Sequence, residues 1–286
     1  MAFRGRNAYI SSMSETRTIA FTKMNGLGND FVIIDARDKA LSFAGDDVRA
    51  LTARAHAQTQ GCDQLLVIHP PRNSGDAFMQ IFNADGGEVE ACGNGTRAVA
   101  AYLAQNGMAA VKIETLGGIL ACTTNLADRQ ASAQVSMTLP QIGAPISLHQ
   151  DLPEALPVTI GNPHAVIFVE TGAADLAAQY GFQLERHKAF PERANINFAS
   201  QQGDNILRLD TWERGVGLTK ACGTGACASA IAAVTQGRCA AGEVIVRPPF
   251  NQDDNDMHVL TIDYQPESHV LMRGPVAFEF YGEASL

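Results

Sequence analysis

Two cysteines of the sequence lie in nearly identical five-residue motifs. Cys92 lies in ACGNG (91–95) and Cys222 in ACGTG (221–225). An apolar, Ala-rich segment follows each string, which predicts a buried helix that begins at the cysteine. Unpaired amides and the helix dipole stabilise anions at such a position. We therefore expect both thiols to have a pKa below the usual value of about 8.5, and a carboxylate to bind beside them.

Two thiols on opposite sides of one carbon could invert a stereocentre. One thiolate would remove a proton from one face, and the opposing thiol would return a proton to the other face. The two helix N-termini would stabilise the negative charge that develops on the substrate carboxylate. This chemistry needs no pyridoxal phosphate, so no cofactor is predicted. No C-x-x-C pair, HExxH motif or zinc-finger spacing occurs, so no metal site is predicted either.

The cysteine strings belong to an internal repeat. An alignment that places Cys92 on Cys222 also places Gly107 on Gly237. Upstream, GNDFVII (28–34) resembles GNPHAVIF (161–168), and Gln64 precedes Asn195 by nearly the same separation. Chance similarity explains one such block, but three blocks in the same order indicate two homologous halves.

The elements that position the cysteines follow from the same pattern. Short β-branched runs alternate with turns in each half, and a glycine follows each predicted helix. We predict an α+β fold of two pseudo-symmetric domains, each a mostly antiparallel curved sheet wrapped around a central helix. The first domain is expected at 19–137 plus 275–286 and the second at 138–274, with the two ACGxG ends facing each other.

Residues 1–18 are interpreted as a flexible N-terminal extension. Their arginines and serines also resemble a transit peptide, and translation from Met13 is a further alternative.

Composition narrows the classes of function. The 286 residues are 46% hydrophobic and 18% charged, with a formal net charge of -9. A sizeable core is therefore possible, and a nucleic-acid partner is not expected because no basic run supplies phosphate contacts. No apolar stretch is long enough for a membrane span, and no secretory signal is present, so we expect a cytoplasmic protein with reduced thiols.

Five motifs in order resemble the diaminopimelate epimerase family: KMNGLGNDFVIID (23–35), FNADGGEVEACGNGTR (82–97), GNPHAV (161–166), FPERAN (190–195) and WERGVGLTKACGTGA (212–226). The resemblance runs from about Thr18 to the C-terminus. It implies a cofactor- and metal-independent two-cysteine isomerase that interconverts LL- and meso-2,6-diaminopimelate in lysine and peptidoglycan precursor biosynthesis. A homodimer is the working expectation for assembly, which the sequence itself does not determine.

The resemblance also implies roles for individual residues. Cys92 and Cys222 match the acid/base pair, and His164 and Glu213 match residues beside the cysteines that support their proton transfers. Arg214 can bind the distal carboxylate as a bidentate partner, and Glu213 can accept from an ammonium. The positions that match substrate contacts are Asn29, Gln64, Asn83, Gly93, Asn94, Asn162, Asn195, Glu213, Arg214, Gly223 and Thr224.

Structural interpretations stay open beside these roles. Asn and Gly in GLGN and GNP often only make turns, and His164 could be a hydrogen-bonded core histidine. Asp30 and Asp63 could position loops, and Cys62, Cys122, Cys227 and Cys239 are interpreted as packing residues. Leu218 departs from the family pattern, which commonly has an acid there.

Two other functions remain open. A proline or hydroxyproline racemase on the same fold is the nearest, although Arg214 and the asparagines favour a substrate with two polar ends. A thiol-redox or binding protein with a Cys92–Cys222 disulfide is the other.

Overall fold

The computed structural model describes residues 17–127, 130–249 and 258–286. Nearly all of the predicted extension, residues 1–16, lies outside this part. The chain enters its first strand at Thr18, and the Arg17 amide donates to the carbonyl of Leu286, so the two ends of the described chain are adjacent. Among the described residues, no helix combines the length and the apolar character needed to cross a bilayer.

The first half is a ring of strands around one helix. Its pairings run β1–β2–β3–β4–β6–β7–β8–β17 and close from β17 back to β1. The elements are β1 (Thr18–Gly26), β2 (Asn29–Asp35), α1 (Gly45–Thr52), β3 (Gln64–His69), β4 (Ala77–Asn83), β5 (Glu88–Val89), α2 (Gly93–Gln105), β6 (Ala110–Thr115), β7 (Gly118–Ala127), β8 (Gln130–Ser136) and, from the C-terminus, β17 (Leu271–Ser285).

The second half repeats this order as an open arc that ends on the start of β17. Its elements are β9 (Gln141–Ile142), β10 (Ala155–Thr159), β11 (Pro163–Phe168), α3 (Ala173–Glu185), β12 (Asn195–Gly203), β13 (Ile206–Glu213), β14 (Gly217–Leu218), α4 (Gly223–Thr235), β15 (Gly242–Arg247) and β16 (Leu260–Tyr264).

Most of the described strand pairs are antiparallel, as predicted, and the parallel ones recur at equivalent places. In the first half β2 lies parallel to β3 and β4 to β6, and in the second half β11 lies parallel to β12 and β13 to β15. Parallel neighbours need a long crossover. Helices α1 to α4 lie in those four crossovers, so the repeat seen in the sequence is also a repeat of topology.

The central helices α2 and α4 are buried on nearly all sides because alanine dominates both. Each ends at a glycine with positive φ, Gly107 at 87° and Gly237 at 68°, which confirms the predicted helix ends. Both helices lie in one hydrophobic core that includes residues of both halves, such as Leu66 and Val166. The core of the molecule therefore runs continuously between the halves and fixes the two helix starts relative to each other.

Candidate active site

Cys92 and Cys222 are the N-cap residues of α2 and α4. Both have extended backbone geometry, and each sulfur accepts a hydrogen bond from the amide three residues on, Gly95 and Gly225, at 3.3 Å in both helices. Glycine is needed at 225 because a Cβ there would lie 2.5 Å from Asn197 Oδ1. The two cysteines therefore occupy equivalent positions, as the repeat predicts.

The two helix starts meet at one methionine. A Cβ on Gly93 would lie 2.9 Å from Met272 Cε, and a Cβ on Gly223 would lie 3.0 Å from Met272 Sδ. The latter Cβ would also lie 3.4 Å from Asn94 Oδ1, on the opposite helix. The residues that directly follow the two cysteines are thus packed against the same side chain, and a larger residue at either position would require Met272 to shift.

The predicted lowering of the cysteine pKa is wrong for the protein without substrate. Burial raises the pKa of Cys92 to about 11 and raises that of Cys222 well above its usual value. Loss of water destabilises each thiolate more than the hydrogen bonds from the Gly95 and Gly225 amides stabilise it. Both cysteines are free thiols, and a base or a bound cation is needed to ionise them.

Glu213, at the end of β13, lies where it acts on both cysteines. Its negative charge raises the pKa of Cys92 and of Cys222, and its carboxylate also interacts with the Cys222 thiol. Thr219 Oγ1 donates to Glu213 Oε1 at 2.6 Å and holds the carboxylate in place. Burial raises the pKa of Glu213 itself, which brings the carboxyl closer to the range of a proton acceptor that works near neutral pH.

His164 is buried in a chain of side-chain hydrogen bonds. Asn197 Nδ2 lies 3.1 Å from its Nδ1, and Asn162 Oδ1 lies 2.9 Å from its Nε2. Because an amide NH₂ can only donate, Nδ1 is the acceptor and Nε2 carries the proton that Asn162 accepts. Asn197 Oδ1 in turn accepts from Thr211 Oγ1 at 3.0 Å.

This environment keeps the imidazole of His164 neutral. Burial, together with the positive charge of Arg214, lowers the pKa of His164 to about 3. Both ring nitrogens are bonded to amides, so within the described part of the chain no hydrogen bond joins His164 to either cysteine. These contacts match the alternative interpretation, in which His164 is a hydrogen-bonded histidine of the core.

The predicted amides of the first half form two short chains. Asn29 Nδ2 donates to Asp63 at 2.9 Å, and Asn94 Nδ2 approaches Asn29 Oδ1 at 3.5 Å. Gln64 Nε2 donates to Asn83 Oδ1 at 2.9 Å, which leaves Gln64 Oε1 buried without a partner in the described structure. A buried acceptor without a donor is costly in a protein, so Gln64 Oε1 is a place where a ligand N–H group fits.

Asp30 and Asp63 position the start of β2, in agreement with the interpretation that these two residues position loops. Asp30 forms ion pairs with buried Lys23 at 2.6 Å and with Arg54 at 2.6 Å. Asp63 accepts from the Asp30 amide and from Asn29, which fixes the side chain of Asn29 at the start of β2.

The predicted polar residues of the second half converge from β11, β12 and the end of β13. Asn195 Oδ1 accepts from the amide of Arg214 at 2.9 Å, and Asn195 Nδ2 donates to the carbonyl of Pro163 at 3.2 Å. The Arg214 guanidinium donates to the carbonyl of Glu192 at 2.9 Å. Thr224 Oγ1 lies 3.6 Å from Cys222 Sγ. The carboxyl, guanidinium and amide groups are thus grouped around α4.

Five residues of this region were missed by the sequence reasoning. Asn197 lies two residues after Asn195 on one strand, and its register partner is Thr211, so strand alternation is the signal that could have found both. Arg97 is a charge inside an otherwise apolar helix, which is itself a signal. Met272 and Thr219 carry no comparable pattern, because only the packing of distant segments brings them to the cysteines.

The described structure contains two cavities of interest for ligand binding. One of about 10 Å³, room for about one water, lies beside Cys222 and Thr211. The other, of about 330 Å³, is lined by residues of β6, β7 and β8 and none of the predicted site residues.

Within residues 17–127, 130–249 and 258–286, no three His, Cys, Asp or Glu side chains are grouped closely enough to hold a metal ion.

Comparisons with known proteins agree with this architecture. The family model described as diaminopimelate epimerase matches residues 21–142 and 157–276. The chain is 41% identical over 280 residues to the diaminopimelate epimerase of Erythrobacter litoralis, covering 92% of this chain and 96% of that protein. It is 40% identical over 278 residues to the diaminopimelate epimerase of Rhodospirillum centenum, covering 93% of this chain and 92% of that protein.

Solved structures with much lower identity share the fold. A predicted epimerase from Pseudomonas aeruginosa superimposes with a TM-score of 0.71 at 15% identity, covering 93% of this chain and 99% of that chain. A hydroxyproline epimerase from Agrobacterium vitis superimposes with a TM-score of 0.64 at 16% identity, covering 96% and 93%. The family-model match over both halves, together with the high identity of the two curated relatives over nearly the whole chain, assigns the chain: it belongs to the diaminopimelate epimerase family.

Proposed function

We propose that this chain interconverts LL- and meso-2,6-diaminopimelate by proton transfers between the substrate α-carbon and the thiols of Cys92 and Cys222. The observation that carries the proposal is the shared site of the two cysteines. Each caps a helix whose first residue packs against Met272, and the charge of Glu213 acts on both. Two acid/base groups at one site meet the requirement for inversion, since one can act on each face of the carbon.

The reaction needs one cysteine as thiolate and the other as thiol. The thiolate takes the α-proton, and the thiol then gives its proton to the opposite face, so the two sulfurs exchange protonation states in each turnover. Glu213 supports this exchange at Cys222, because its carboxyl interacts with that thiol and has a raised pKa. A proton can therefore move between Cys222 and Glu213 without leaving the buried site.

The two helix N-termini stabilise the transition state in this proposal. The substrate carboxylate next to the reacting carbon lies between the first turns of α2 and α4, where backbone amides lack intrahelical acceptors. The groups that surround it are the amides of Gly93, Asn94, Gly223 and Thr224. As the α-proton leaves, negative charge grows on that carboxylate, and fixed amides stabilise it without reorganisation.

The remaining predicted residues hold the two ammonium groups and the distal carboxylate. Gln64 Oε1, buried and without a partner in the described structure, fits an ammonium N–H donor. Arg214 uses one guanidinium N–H on the Glu192 carbonyl and binds the distal carboxylate with others. Asn29, Asn83, Asn162 and Asn195 fix the stereochemistry of the distal centre, since unpaired buried amides penalise a wrong substrate.

His164 acts as a neutral positioning group in this mechanism. It donates to Asn162 and accepts from Asn197, which fixes the orientation of the Asn162 amide oxygen and therefore of its NH₂ group toward the substrate.

We also propose that the protein works in the cytoplasm as a homodimer. A reducing compartment fits the requirement for free thiols at Cys92 and Cys222. The dimer rests on the family resemblance alone, and sedimentation equilibrium of the reduced protein tests it.

The experiment that tests the function is isotope exchange with two substrates. Purified, reduced protein is incubated in deuterated water with LL-diaminopimelate or with L-proline, and deuterium at the α-carbons is followed by NMR. We expect deuterium at one of the two equivalent α-carbons of LL-diaminopimelate as meso product appears, and none in proline. Exchange in proline alone would favour the racemase alternative, and exchange in neither substrate would refute the proposal.

A further inference from the structure

Arg97 is the largest fully buried side chain among the described residues, with 0% of its surface exposed. It lies on α2, five residues after Cys92, in a helix whose other buried residues are small or apolar apart from Asn94 and Thr96. A guanidinium keeps its positive charge at any physiological pH, so this charge lies permanently in the core between the halves.

The charge of Arg97 has little compensation from the protein. Its Nη2 donates to Asn94 Oδ1 at 2.9 Å and its Nη1 approaches Met272 Sδ at 3.5 Å, while Nε is buried without a partner in the described structure. In the same part of the chain, no carboxylate lies within salt-bridge distance of it, and the ionisable groups that act on it are Cys92 and Cys227. A buried cation with no anion is strongly destabilising, which indicates a role other than packing.

The two cysteines therefore have different electrostatic surroundings. Cys92 faces the negative charge of Glu213 from β13, which has the larger effect, and the opposing positive charge of Arg97 from its own helix. Among the described residues, Glu213 is the charged group whose effect on Cys222 is resolved, and its carboxylate interacts with the Cys222 thiol. The alignment of Cys92 with Cys222 places Cys227 where the first half has Arg97, so the cation has no counterpart in α4.

We propose that Arg97 is the fixed cation that stabilises negative charge on the Cys92 sulfur, so that Cys92 loses its proton before Cys222 in the substrate-free protein. The proposal builds on the two-thiol reaction above and assigns the starting state of that reaction: Cys92 is the thiolate and Cys222 is the thiol held by Glu213. The positive charge of Arg97 lowers the pKa of Cys92 against the effect of burial, whereas the charge of Glu213 raises that of Cys222, and both directions agree with this geometry.

Arg97 also fixes the orientation of Asn94. A guanidinium has only donors, so the side-chain oxygen of Asn94 must face Arg97 and its NH₂ group faces Asn29. One buried side chain thus sets both the charge at Cys92 and the direction of a predicted substrate donor.

Peptide-resolved alkylation tests the proposal without any substrate. Reduced wild-type protein and the Arg97→Met and Arg97→Lys variants are treated with iodoacetamide from pH 6.5 to 10.5, and modification of Cys92 and Cys222 is quantified in the same sample. Only thiolates react, so the ratio of the two rates at pH 8 reports the difference in their pKa, with accessibility as a constant factor. We expect Arg97→Met to lower the Cys92-to-Cys222 ratio at least about tenfold, the size expected for loss of a nearby opposite charge.

The controls separate charge from packing. Arg97→Lys keeps the charge and should hold the ratio within about threefold of wild type. Arg37→Met removes a partly exposed arginine of the first half, and should not change it. An unchanged ratio in Arg97→Met overturns the proposal.

If Arg97→Met does not fold, as judged by circular dichroism, the wild-type pH profiles decide. With the pH series extended to about 11.5, the Cys92 rate must depart from proportionality to the hydroxide concentration at a lower pH than the Cys222 rate, and an equal or reversed order overturns the proposal. Turnover of LL-diaminopimelate is measured separately. The alkylation ratio can therefore be interpreted even if the proposed reaction is not observed.

Discussion

The two halves share one backbone plan and differ in what lies beneath their central helices. In the first half, Phe31, Leu66 and Ile81 are buried and apolar, and the start of α2 packs on Leu66. Phe31 pairs with Gln64 across β2 and β3, and Leu66 pairs with Ile81 across β3 and β4.

In the second half, the same register positions are polar. His164 pairs with Asn195 across β11 and β12, and Asn197 pairs with Thr211 across β12 and β13. His164, Asn197 and Thr211 are as buried as their apolar equivalents, but they are joined by hydrogen bonds.

The charged groups are also divided between the halves. Arg97 of α2 corresponds to Cys227 of α4, and Glu213 corresponds by repeat alignment and strand position to Asn83. Duplication of the fold therefore supplies two equivalent sulfur positions, whereas divergence of a few side chains places a fixed cation beside one sulfur and a proton acceptor beside the other. In the proposed mechanism, a symmetric scaffold thus carries an asymmetric acid/base pair.

The largest expected effect tests what the halves have in common. Cys92→Ala and Cys222→Ala should each lower the rate of epimerisation by at least about 10³-fold, because each removes one of the two groups that transfer the proton. Conversion of LL- to meso-diaminopimelate, followed by chiral chromatography, measures this.

The matched control for these variants is Cys122→Ala. It removes a buried core thiol of β7 that is not one of the predicted site residues, and it should keep most of the activity. Substantial epimerisation by either cysteine variant would contradict equal need for the two halves.

The next effect tests the proton acceptor that only the second half has. Glu213→Gln keeps the shape and the hydrogen bond from Thr219 but cannot accept a proton from Cys222. We expect kcat to fall by about 10²-fold or more, with a smaller change in KM, in steady-state assays. Glu192→Gln, on an exposed residue nearby, is the control, and an equal loss in both variants would assign the effect to the loop rather than to Glu213.

A smaller effect tests the polar trio against its apolar equivalent. Asn197→Leu introduces the first-half residue and leaves His164 Nδ1 and the Thr211 hydroxyl without their buried partner. The free energy of unfolding, measured with urea, should fall by about 1–3 kcal/mol for each group left unpaired. The triple variant His164→Phe, Asn197→Leu, Thr211→Ile removes all three polar groups and should be less destabilised than Asn197→Leu alone.

The same triple variant sharpens the comparison through its pH dependence. The pKa of His164 is lowered to about 3 in the folded protein, against about 6.5 when unfolded, so the unfolded state binds a proton first as the pH falls. The contribution of His164 is therefore present above about pH 6.5 and is lost progressively toward pH 3. Between pH 7 and pH 5 the wild type should lose up to about 2 kcal/mol more stability than the triple variant. Parallel losses in urea unfolding at the two pH values would show that His164 is already charged in the folded state.

Much of the architecture could be predicted from the sequence because the repeat records it directly. The two helix starts at Cys92 and Cys222, the terminating glycines and the pairing of one sheet-wrapped helix per half all follow from spacing and from residue type. The four parallel strand pairs were not foreseen. They depend on crossovers such as α1, whose sequence shows no motif, and on which strands meet after the sheet closes.

At the site, the residue types were predictable but their electrostatic state was not. A cysteine at a helix N-terminus indicates a stabilised thiolate, and that expectation failed because the pKa depends on how much water the fold removes around the sulfur. Desolvation is a property of all the neighbours together, and local spacing does not contain it. Likewise, the match of His164 to a residue beside the cysteines did not reveal that two asparagines occupy both its ring nitrogens.

The amino-acid sequence by itself determined the duplication, the two cysteine-capped helices and the family, because these depend on local residue order and on the spacing between copies. Only the tertiary structure decided that Met272 lies between the two helix starts, that Glu213 acts on both thiols and that Arg97 is buried with no carboxylate of the described residues beside it. Those relations join residues far apart in the chain, and burial sets their strength, since charges interact strongly only where the fold has excluded water.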